Sequence, residues 1–494
     1  MTASKRVFFP LLCAALAASR FCHLRILWTE EDLPLAAARQ MLAGSVLYRG
    51  VWFDKPPLVP AVYLLWGAQI GWPLRLAGTL FALLACVLIY RFASRLWGER
   101  EGLLAGGLLG FFLIFAIPAA VIPLAADLLM LVPHIAAVYL AWRRRPLLSG
   151  AAAGVAFLFN AKALFVLAAC AIFDLRAIAW LALGFAIPNA AAVAWLAATG
   201  ALRDCYEQVW RLGSLYASNT FVGNPLREGA IRTANWMGFH AALVLGAAWF
   251  WFRERRPERR QFALWAALSL ASVAAGWRFF PRYYFALLPV MVLGAARGLV
   301  LLGRPCATIV LLVLIIPLAR FGPRYGSLAT GHEAAWSDVA MDQDSRAAAR
   351  LILERAHPGD TLFVWGYRPD LFVYTRMPAA TRFLESQPLS GVFADRHLFQ
   401  TDAVAPEWTR RNRAELVRSR PSFVVDGLAA FQPSLGIENY PDLRPWLTQY
   451  EITDRTPWTV IYRLRPTAPS STASASRETR RCLPGRPPRA RSSS

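Results

Sequence analysis

Residues 28–57 have the sequence WTEEDLPLAAARQMLAGSVLYRGVWFDKPP and follow directly on a first apolar segment. The stretch opens with three consecutive carboxylates, Glu30, Glu31 and Asp32. It closes on Lys55, which stands immediately before two prolines. Because proline stiffens the backbone where the lysine side chain leaves it, we expect this cation to hold a fixed place. An acidic cluster and a fixed cation beside an apolar segment predict a polar site at a membrane surface.

The acidic cluster is expected at the beginning of a helix, since Pro34 suits a first helical turn and the helical pattern continues to Gly44. The helix dipole favours ionised carboxylates there, so one of them can accept a proton from an attacking hydroxyl or amine. The alternative is that they only cap the helix. Lys55 also has two interpretations, contact with a phosphate or an interfacial lysine whose charged head reaches water.

The rest of the chain is strongly apolar. Of its 494 residues, 17% are charged, whereas about 25% are charged in soluble domains. Long apolar segments recur through the first two thirds, which predicts a mainly α-helical, polytopic membrane protein. The first segment carries Arg20 and Arg25 and no cleavage site of small residues, so we expect it to be retained. We predict eleven spans, at about residues 7–27, 76–94, 102–118, 127–142, 148–161, 163–175, 178–197, 235–252, 261–277, 284–301 and 306–320, with 58–70 as a re-entrant or surface helix.

The net charge of +22 is explained by membrane topology rather than by nucleic acid, because no nucleic-acid-binding motif is present. Seven scattered cysteines form no CxxC pair and are expected to be buried small apolar residues. Six histidines show no zinc-site spacing, so no metal site is predicted. The sequence therefore points away from nucleic-acid-binding and zinc-dependent classes of protein.

Short basic loops give the orientation. Basic residues concentrate in alternate loops, which places these loops in the cytoplasm together with the N-terminus. They are Lys5 and Arg6; Arg91, Arg95 and Arg100; Arg143, Arg144 and Arg145; Arg176; residues 253–260; and Arg304. The opposite loops hold the acidic cluster and Lys55, although Arg203, Arg211, Arg227 and Arg232 also lie on that side. An odd number of spans then places the C-terminal region outside.

Three regions are predicted. Residues 1–325 form a transmembrane module whose first outer loop covers 28–75. Residues 331–466 form a small extracytoplasmic α/β domain, with helices over 343–356 and 404–419 and strands over 361–365, 422–425 and 460–464. No phosphate-binding glycine loop follows these strands, so the domain receives no nucleotide role. Residues 467–494 are rich in Ser, Pro, Ala and Arg and are predicted to be a disordered tail.

Five further residues are candidates for the site. Asp127 stands at the outer end of a predicted span, as a substrate-binding group or simply a helix start. Lys162 lies among apolar residues, where an ionisable group is a functional candidate. Arg278, Arg282 and Tyr283 belong to the segment WRFFPRYY. Its arginines can hold a phosphate or diphosphate, whereas an interfacial aromatic belt explains its tyrosines without a function. Arg20 and Arg25 are weaker candidates for the same task.

Together these residues resemble a known family. Six features are similar to those of the GT-C membrane glycosyltransferases. They are the acidic pair after span one, the AAARQMLAG helix, the tyrosine of VLYRG, the KPP step, the lysine of LFNAKALF and the RYY before span ten. The resemblance is to the protein O-mannosyltransferase and lipid A aminoarabinose transferase type. It covers residues 5 to about 320 and extends more loosely into DTLFVWGYRPDLFVYTRMPAATRF.

The resemblance implies a GT-C fold and a sugar donor linked to a polyprenyl phosphate, used at the outer membrane face with inversion at the anomeric carbon. It implies that Glu30 takes the place of the family's catalytic aspartate and Glu31 that of the glutamate after it. Lys55 then meets the donor phosphate, with Arg282 and Lys162 as further phosphate contacts. The family usually has Asp-Glu where this chain has Glu-Glu-Asp. Either Glu30 or Asp32 is therefore the base.

Several points stay open on the sequence. A divalent metal near the carboxylates is one of them, because relatives differ and no ligand pattern requires one. The sugar and the acceptor, which is a lipid, a protein or a cell-wall glycan, are others. The composition favours a bacterial inner membrane. The alternative functions are a transporter or flippase of lipid-linked sugars, which typically shows internal repeats and midplane charges, and a non-catalytic assembly protein.

Overall fold

The computed structural model describes residues 3–331 and 336–466. The predicted tail, 467–494, lies outside the described residues. The first part of the chain is helical throughout. Its helices are α1 (Ala3–Phe21), α2 (Thr29–Leu42), α3 (Leu58–Tyr63), α4 (Trp72–Leu96), α5 (Glu99–Phe112), α6 (Pro118–Val121), α7 (Ala126–Trp142), α8 (Pro146–Phe157), α9 (Ala163–Phe173), α10 (Ile178–Ala198), α11 (Leu202–Cys205), α12 (Leu212–Ser218), α13 (Pro225–Phe239), α14 (Ala241–Arg253), α15 (Glu258–Ala274), α16 (Leu288–Leu302), α17 (Arg304–Leu312) and α18 (Ile315–Ala329).

Each of the eleven predicted spans overlaps at least one of these helices. By length and composition, two described stretches can cross a membrane, Trp72–Leu96 and Leu175–Ala198. A third candidate joins α17 and α18 across a bend of 44°. Several other apolar helices in the described chain have between 10 and 17 residues. The predicted mainly helical, apolar architecture is thus present, and the number of eleven spans stays a prediction.

Glycine allows two pairs of helices to pack backbone against backbone. A Cβ atom at Gly298 of α16 would lie 1.8 Å from the carbonyl oxygen of Gly246 in α14. In the same way, a Cβ atom at Gly150 of α8 would lie 2.0 Å from the carbonyl oxygen of Leu181 in α10. Small residues at such crossings let apolar helices approach closely, which is how helices associate where the surroundings are as apolar as the helices themselves.

The second part of the chain combines helices with one sheet. The helices are α19 (Ser337–Arg355), α20 (Asp370–Thr375), α21 (Gln387–Ser390), α22 (Pro406–Val417) and α23 (Arg444–Leu447), and the strands are β1 (Leu362–Trp365), β2 (Phe423–Asp426), β3 (Tyr450–Arg455) and β4 (Val460–Leu464). The sheet order is β1-β2-β4-β3. Strands β1 and β2 are parallel, whereas β4 runs antiparallel to both β2 and β3. We call residues 336–466 the outer domain, after the side of the membrane on which the sequence predicts it.

The three predicted strands overlap β1, β2 and β4, and the two predicted helices overlap α19 and α22. Strand β3 and the short helices α21 and α23 were not predicted. β3 has the sequence YEITDR and lies at the edge of the sheet, where most of its side chains are exposed or half-buried. Its charged residues weaken the apolar alternation that indicates a strand, and only pairing with β4 makes it one.

The outer domain is fastened to the loop that contains residues 28–57. Trp52, 1% exposed, packs in the same apolar cluster as Trp365 and Phe383 of the outer domain. Its backbone N–H also donates to the carbonyl oxygen of Arg382 at 2.7 Å. Earlier in the same stretch, Gln40 of α2 accepts from the N–H of Ala379 at 3.1 Å and donates to the carbonyl oxygen of Met377 at 3.3 Å. The first loop and the outer domain therefore share one core.

Candidate active site

The first turn of α2 directs the three carboxylates to different places, because successive helix residues are turned by about 100°. Glu30 is directed toward the segment before α16, where its Oε1 accepts a hydrogen bond from Nη1 of Arg282. Nε of Arg282 lies 3.6 Å from Oδ2 of Asp127. About a quarter of each of the Glu30 and Arg282 side chains is exposed. One arginine thus joins two of the predicted site carboxylates near the protein surface.

Glu31 lies in the protein interior. Its Oε1 and Oε2 accept hydrogen bonds from Nη2 and Nη1 of Arg75 at 2.6 and 3.2 Å. Arg75 is itself buried and also donates to the carbonyl oxygens of His23 and Ile26. The carboxylate additionally accepts from the backbone N–H of Trp28 at 3.4 Å. Glu31 therefore holds the start of α2 against α4 and offers no exposed oxygen to a substrate.

Asp32 is also buried, on the side of α2 that meets the outer domain. It lines a cavity of about 20 Å³ together with Asp370, Tyr367 and Arg368. Burial and the neighbouring carboxyl of Asp370 raise the pKa of Asp32 well above its usual range. Its environment thus favours the protonated carboxyl, and Asp32 is separate from the Arg282 group.

Lys55 pairs with the residue before it. Its Nζ lies 3.1 Å from Oδ1 and 3.3 Å from Oδ2 of Asp54, and 39% of the lysine side chain is exposed. Burial opposes the charge, but Asp54 and Glu30 outweigh it and raise the pKa of Lys55 above its usual value. Since Glu30 and Arg282 both act on Lys55, the lysine belongs to the same group of charges.

The backbone around Lys55 is held by two side chains. Oη of Tyr48 donates to the carbonyl oxygen of Lys55 at 2.8 Å. Gln208 in turn donates to the carbonyl oxygen of Tyr48 at 2.7 Å and accepts from the N–H of Phe53 at 2.9 Å. Tyr48 has φ of +67°, a left-handed conformation that a bulky residue adopts only when its surroundings impose it. These contacts fix the place from which the lysine side chain extends.

Lys162 approaches the site from the opposite side. Asn160 donates to Oδ1 of Asp127 at 2.9 Å and accepts from the backbone N–H of Lys162 at 3.0 Å. Nζ of Lys162 lies 2.9 Å from the ring centroid of Tyr283. It has no hydrogen-bond partner among the residues that the structure describes. A buried ammonium group without an acceptor is a place where an anion would bind favourably.

Arg278 has a different environment from Arg282. It is completely buried, and its Nε lies 2.5 Å from Oδ2 of Asp395 in the outer domain. Its remaining N–H groups donate to the carbonyl oxygens of Gly276, Tyr216 and Asn219 at 2.6–2.8 Å. Four of its five N–H groups are engaged by protein, so in this structure Arg278 joins the loop before α13 to the outer domain.

The assembled group contains Glu30, Asp54, Lys55, Asp127, Asn160, Lys162, Arg282 and Tyr283. Its carboxylates are Glu30, Asp54 and Asp127, and its cations are Lys55, Lys162 and Arg282. These groups come from residues 28–57, the start of α7, the segment before α9 and the segment before α16. A carboxylate near a surface can accept a proton, and fixed cations can hold a phosphate. The predicted candidates Glu30, Lys55, Asp127, Lys162, Arg282 and Tyr283 lie in this group, whereas Glu31, Asp32 and Arg278 lie outside it.

Two members of the group were missed on the sequence, Asp54 and Asn160. Each stands within two residues of a lysine that was recognised, and this proximity was the only available signal. Among residues 3–331 and 336–466, no three His, Cys, Asp or Glu side chains are arranged to hold a metal ion.

Comparison with proteins of known structure identifies the fold of this chain. No family model and no curated protein matches the sequence. Among solved structures, ArnT from Cupriavidus metallidurans in the apo state matches with a TM-score of 0.61 and 15% identity, covering 93% of this chain and 98% of that one. The same protein bound to undecaprenyl phosphate matches with a TM-score of 0.58 and 16% identity, covering 94% and 98%. The chain has the GT-C fold. This GT-C likeness spans both the helical module and the outer domain, and it confirms the predicted mainly helical GT-C fold with a small sheet, whereas the predicted number of spans stays a prediction.

Proposed function

We propose that this chain is an integral-membrane inverting glycosyltransferase, which moves a sugar from a polyprenyl-phosphate donor to an acceptor on the non-cytoplasmic face of the membrane. One observation carries the proposal. Glu30, Lys55 and Arg282 form a partly exposed group of one carboxylate and two cations. The fold in which they lie is shared with ArnT, which has been crystallised with undecaprenyl phosphate.

The cations supply the donor phosphate site. Lys55 has a partly exposed side chain on a fixed backbone, and Lys162 has a buried ammonium group without a hydrogen-bond acceptor among the described residues. Arg282 adds a guanidinium, which binds phosphate oxygens in pairs. Asp127 and Tyr283 are positioning residues in this scheme, since Asp127 orients Arg282 and Tyr283 lies against the ammonium of Lys162.

Glu30 is the proposed base. Its side chain is partly exposed, whereas Glu31 is occupied by Arg75, and Asp32 is buried, which raises its pKa and favours its protonated form. Without substrate, Arg282 neutralises Glu30. When a phosphate binds, Arg282 turns to it and frees Glu30 to act. Substrate binding would in this way create the active base.

The transfer then requires few groups. Glu30 takes the proton from the acceptor hydroxyl or amine while the acceptor atom forms its bond to the anomeric carbon. The bond between that carbon and the phosphate oxygen breaks on the opposite face, which inverts the configuration. Lys55, Lys162 and Arg282 stabilise the negative charge on the departing lipid phosphate. No strong acid is needed, because a neutralised phosphate is already a good leaving group.

The test is turnover of purified full-length protein in lipid nanodiscs, with undecaprenyl-phosphate monosaccharides as donors and a membrane extract as the acceptor source. We expect Glu30→Gln to reduce release of undecaprenyl phosphate by about 100-fold or more, as for removal of a general base. Glu228→Gln is the matched control, because Glu228 lies on α13 and, within the described part of the chain, forms an ion pair with Arg232 alone.

If folded Glu30→Gln releases undecaprenyl phosphate at the rate of the wild type, Glu30 is not the base. Movement of intact donor across the membrane without release of undecaprenyl phosphate would instead support a transporter. The sugar and the acceptor are identified by mass spectrometry of lipids and proteins from a deletion strain and its parent. Loss of one glycosylated species from the deletion strain is the expected result.

A further inference from the structure

The outer domain brings one more carboxyl group to the site, that of Glu385. The backbone hydrogen bond from Trp52 to Arg382 joins the first loop to the segment that carries it. Trp52 and Phe383 then pack in one apolar cluster. Glu385 follows Phe383 by two residues, as Asp54 follows Trp52, so the two carboxylic acids continue from the same junction.

The position of Glu385 is fixed by its neighbours. Phe383 and Leu384 are fully buried. The backbone N–H of Ser386 donates to the carbonyl oxygen of Gly366 at 3.0 Å. Arg382 forms ion pairs with Asp204 at 3.3 Å and with Glu415 at 3.0 Å. The residues before and after Glu385 are thus held on both sides, which fixes the place from which its side chain extends.

The carboxyl group itself has no partner. Glu385 is only 7% exposed, and no hydrogen bond or ion pair to its carboxyl occurs in the described parts of the chain. Its oxygens are not among the fully enclosed polar atoms that lack a partner, so they keep some contact with solvent. A ligand that enters from the solvent side can therefore form a hydrogen bond with this carboxyl group.

Charged groups face Glu385 from each neighbouring element. They are Asp54 and Lys55 before α3, Glu30 and Asp32 of α2, and the phenol of Tyr367 after β1. Burial, followed by repulsion from Asp54, raises the pKa of Glu385 to about 8, although Lys55 acts in the opposite direction. At neutral pH the group is therefore mainly a carboxylic acid, whose O–H has no acceptor among residues 3–331 and 336–466.

We propose that Glu385 is a further substrate-binding residue, whose carboxyl donates a hydrogen bond to a hydroxyl oxygen of the donor sugar. This inference rests on the proposed function. In an inverting transfer the sugar lies between the base and the leaving phosphate, which here means between Glu30 and Lys55. A group that faces both residues lies beside the sugar ring. The outer domain thereby takes part in recognising the transferred sugar.

The test compares two ligands of the full-length protein in nanodiscs, bare undecaprenyl phosphate and undecaprenyl phosphate linked to a hexose or a pentose. Glu385→Ala should weaken binding of the sugar-linked lipid by about tenfold, the effect of one lost hydrogen bond, and leave bare undecaprenyl phosphate unchanged. Glu385→Gln keeps an N–H donor and should lose no more than about twofold. Lys55→Ala should weaken both ligands, because it removes a phosphate contact.

The pH dependence separates hydrogen bonding from mere packing. Affinity of the wild type for the sugar-linked lipid should fall as pH rises through about 8, because Glu385 loses its proton there. Glu385→Gln, which does not titrate, should show no such fall. If Glu385→Ala weakens binding of both lipids equally, or of neither, the inference about Glu385 is wrong. The proposed function still stands in that case, provided that binding of both lipids depends on Lys55. If the wild type binds neither lipid, both proposals fail.

Discussion

Replacing Arg75 by methionine tests whether Glu31 has a structural role at the start of α2. The carboxylate of Glu31 is fully buried, and without Arg75 it keeps only backbone N–H donors at 3.4 Å, from Trp28 and Leu124. Removing one partner of a buried ion pair costs about 3–5 kcal/mol, because the other charge stays buried and unpaired. We expect Arg75→Met to lose stability within that range.

The reverse change should cost less. In Glu31→Gln, the guanidinium of Arg75 retains hydrogen bonds to the carbonyl oxygens of His23 and Ile26, at 3.1 and 2.5 Å. The expected loss is about 1.5–3 kcal/mol, the range for a hydrogen bond to a charged group. The double variant has no unpaired charge, so its loss should be smaller than the sum of the single losses by at least about 1 kcal/mol.

The assay is reversible unfolding of the full chain by dodecyl sulfate in mixed micelles, followed by tryptophan fluorescence. Folded Glu31→Gln should also keep its turnover per folded molecule, in contrast to Glu30→Gln. Strict additivity of the two single changes would refute the reasoning, as would a stability of Arg75→Met equal to that of the wild type. Loss of turnover by fully folded Glu31→Gln would restore a direct role for Glu31.

Two further changes test the packing around the site. Gly298→Ala should destabilise the protein by about 1–3 kcal/mol or more, because the added methyl meets the backbone of Gly246 and forces α14 and α16 apart. Gly326→Ala is the control and should not destabilise the protein, because its methyl meets no other atom within 4 Å. Thermal unfolding in detergent measures both variants. Arg278→Met should expose the loop before α13 to protease by removing the contacts that join this loop to Asp395, and unchanged cleavage would contradict an anchoring role.

Local patterns in the sequence predict much of the helical module. Apolar segments indicate helices because a helix satisfies its own backbone hydrogen bonds, and this requires no knowledge of the neighbours. The start of α2 could be located for a similar reason, since Pro34 and the acidic residues favour a first turn regardless of tertiary structure. The positions of Lys55 and Arg282 beside the carboxylates followed from the order of loops along the chain.

Which carboxylate faces which partner could not be predicted. Glu30, Glu31 and Asp32 are adjacent in sequence, and their different surroundings depend on Arg282, Arg75 and the outer domain. Arg278 shares a segment with Arg282, but a contact 117 residues away makes it an anchor. Such pairings are set by tertiary packing, which no periodicity in the sequence reports.

Glu385 illustrates the same limit. In sequence it is one of several charged residues in a segment without regular structure, and nothing in its immediate neighbours marks it. Its surroundings arise because Trp52 enters the outer domain and pairs with Arg382, two residues separated by more than half of the chain. Burial and repulsion then set its protonation, and both effects come from the folded structure.

The insertion of Trp52 into the core of the outer domain has a consequence for how this protein can be divided. An outer domain expressed alone would lack one of its own core side chains, and a helical module without it would present that tryptophan to water. Any chimera that exchanges substrate preference between related proteins must therefore transplant residues 28–75 and 336–466 together. Recombination between those two segments separates halves of a single folding unit, so viable hybrids are expected to inherit both from the same parent.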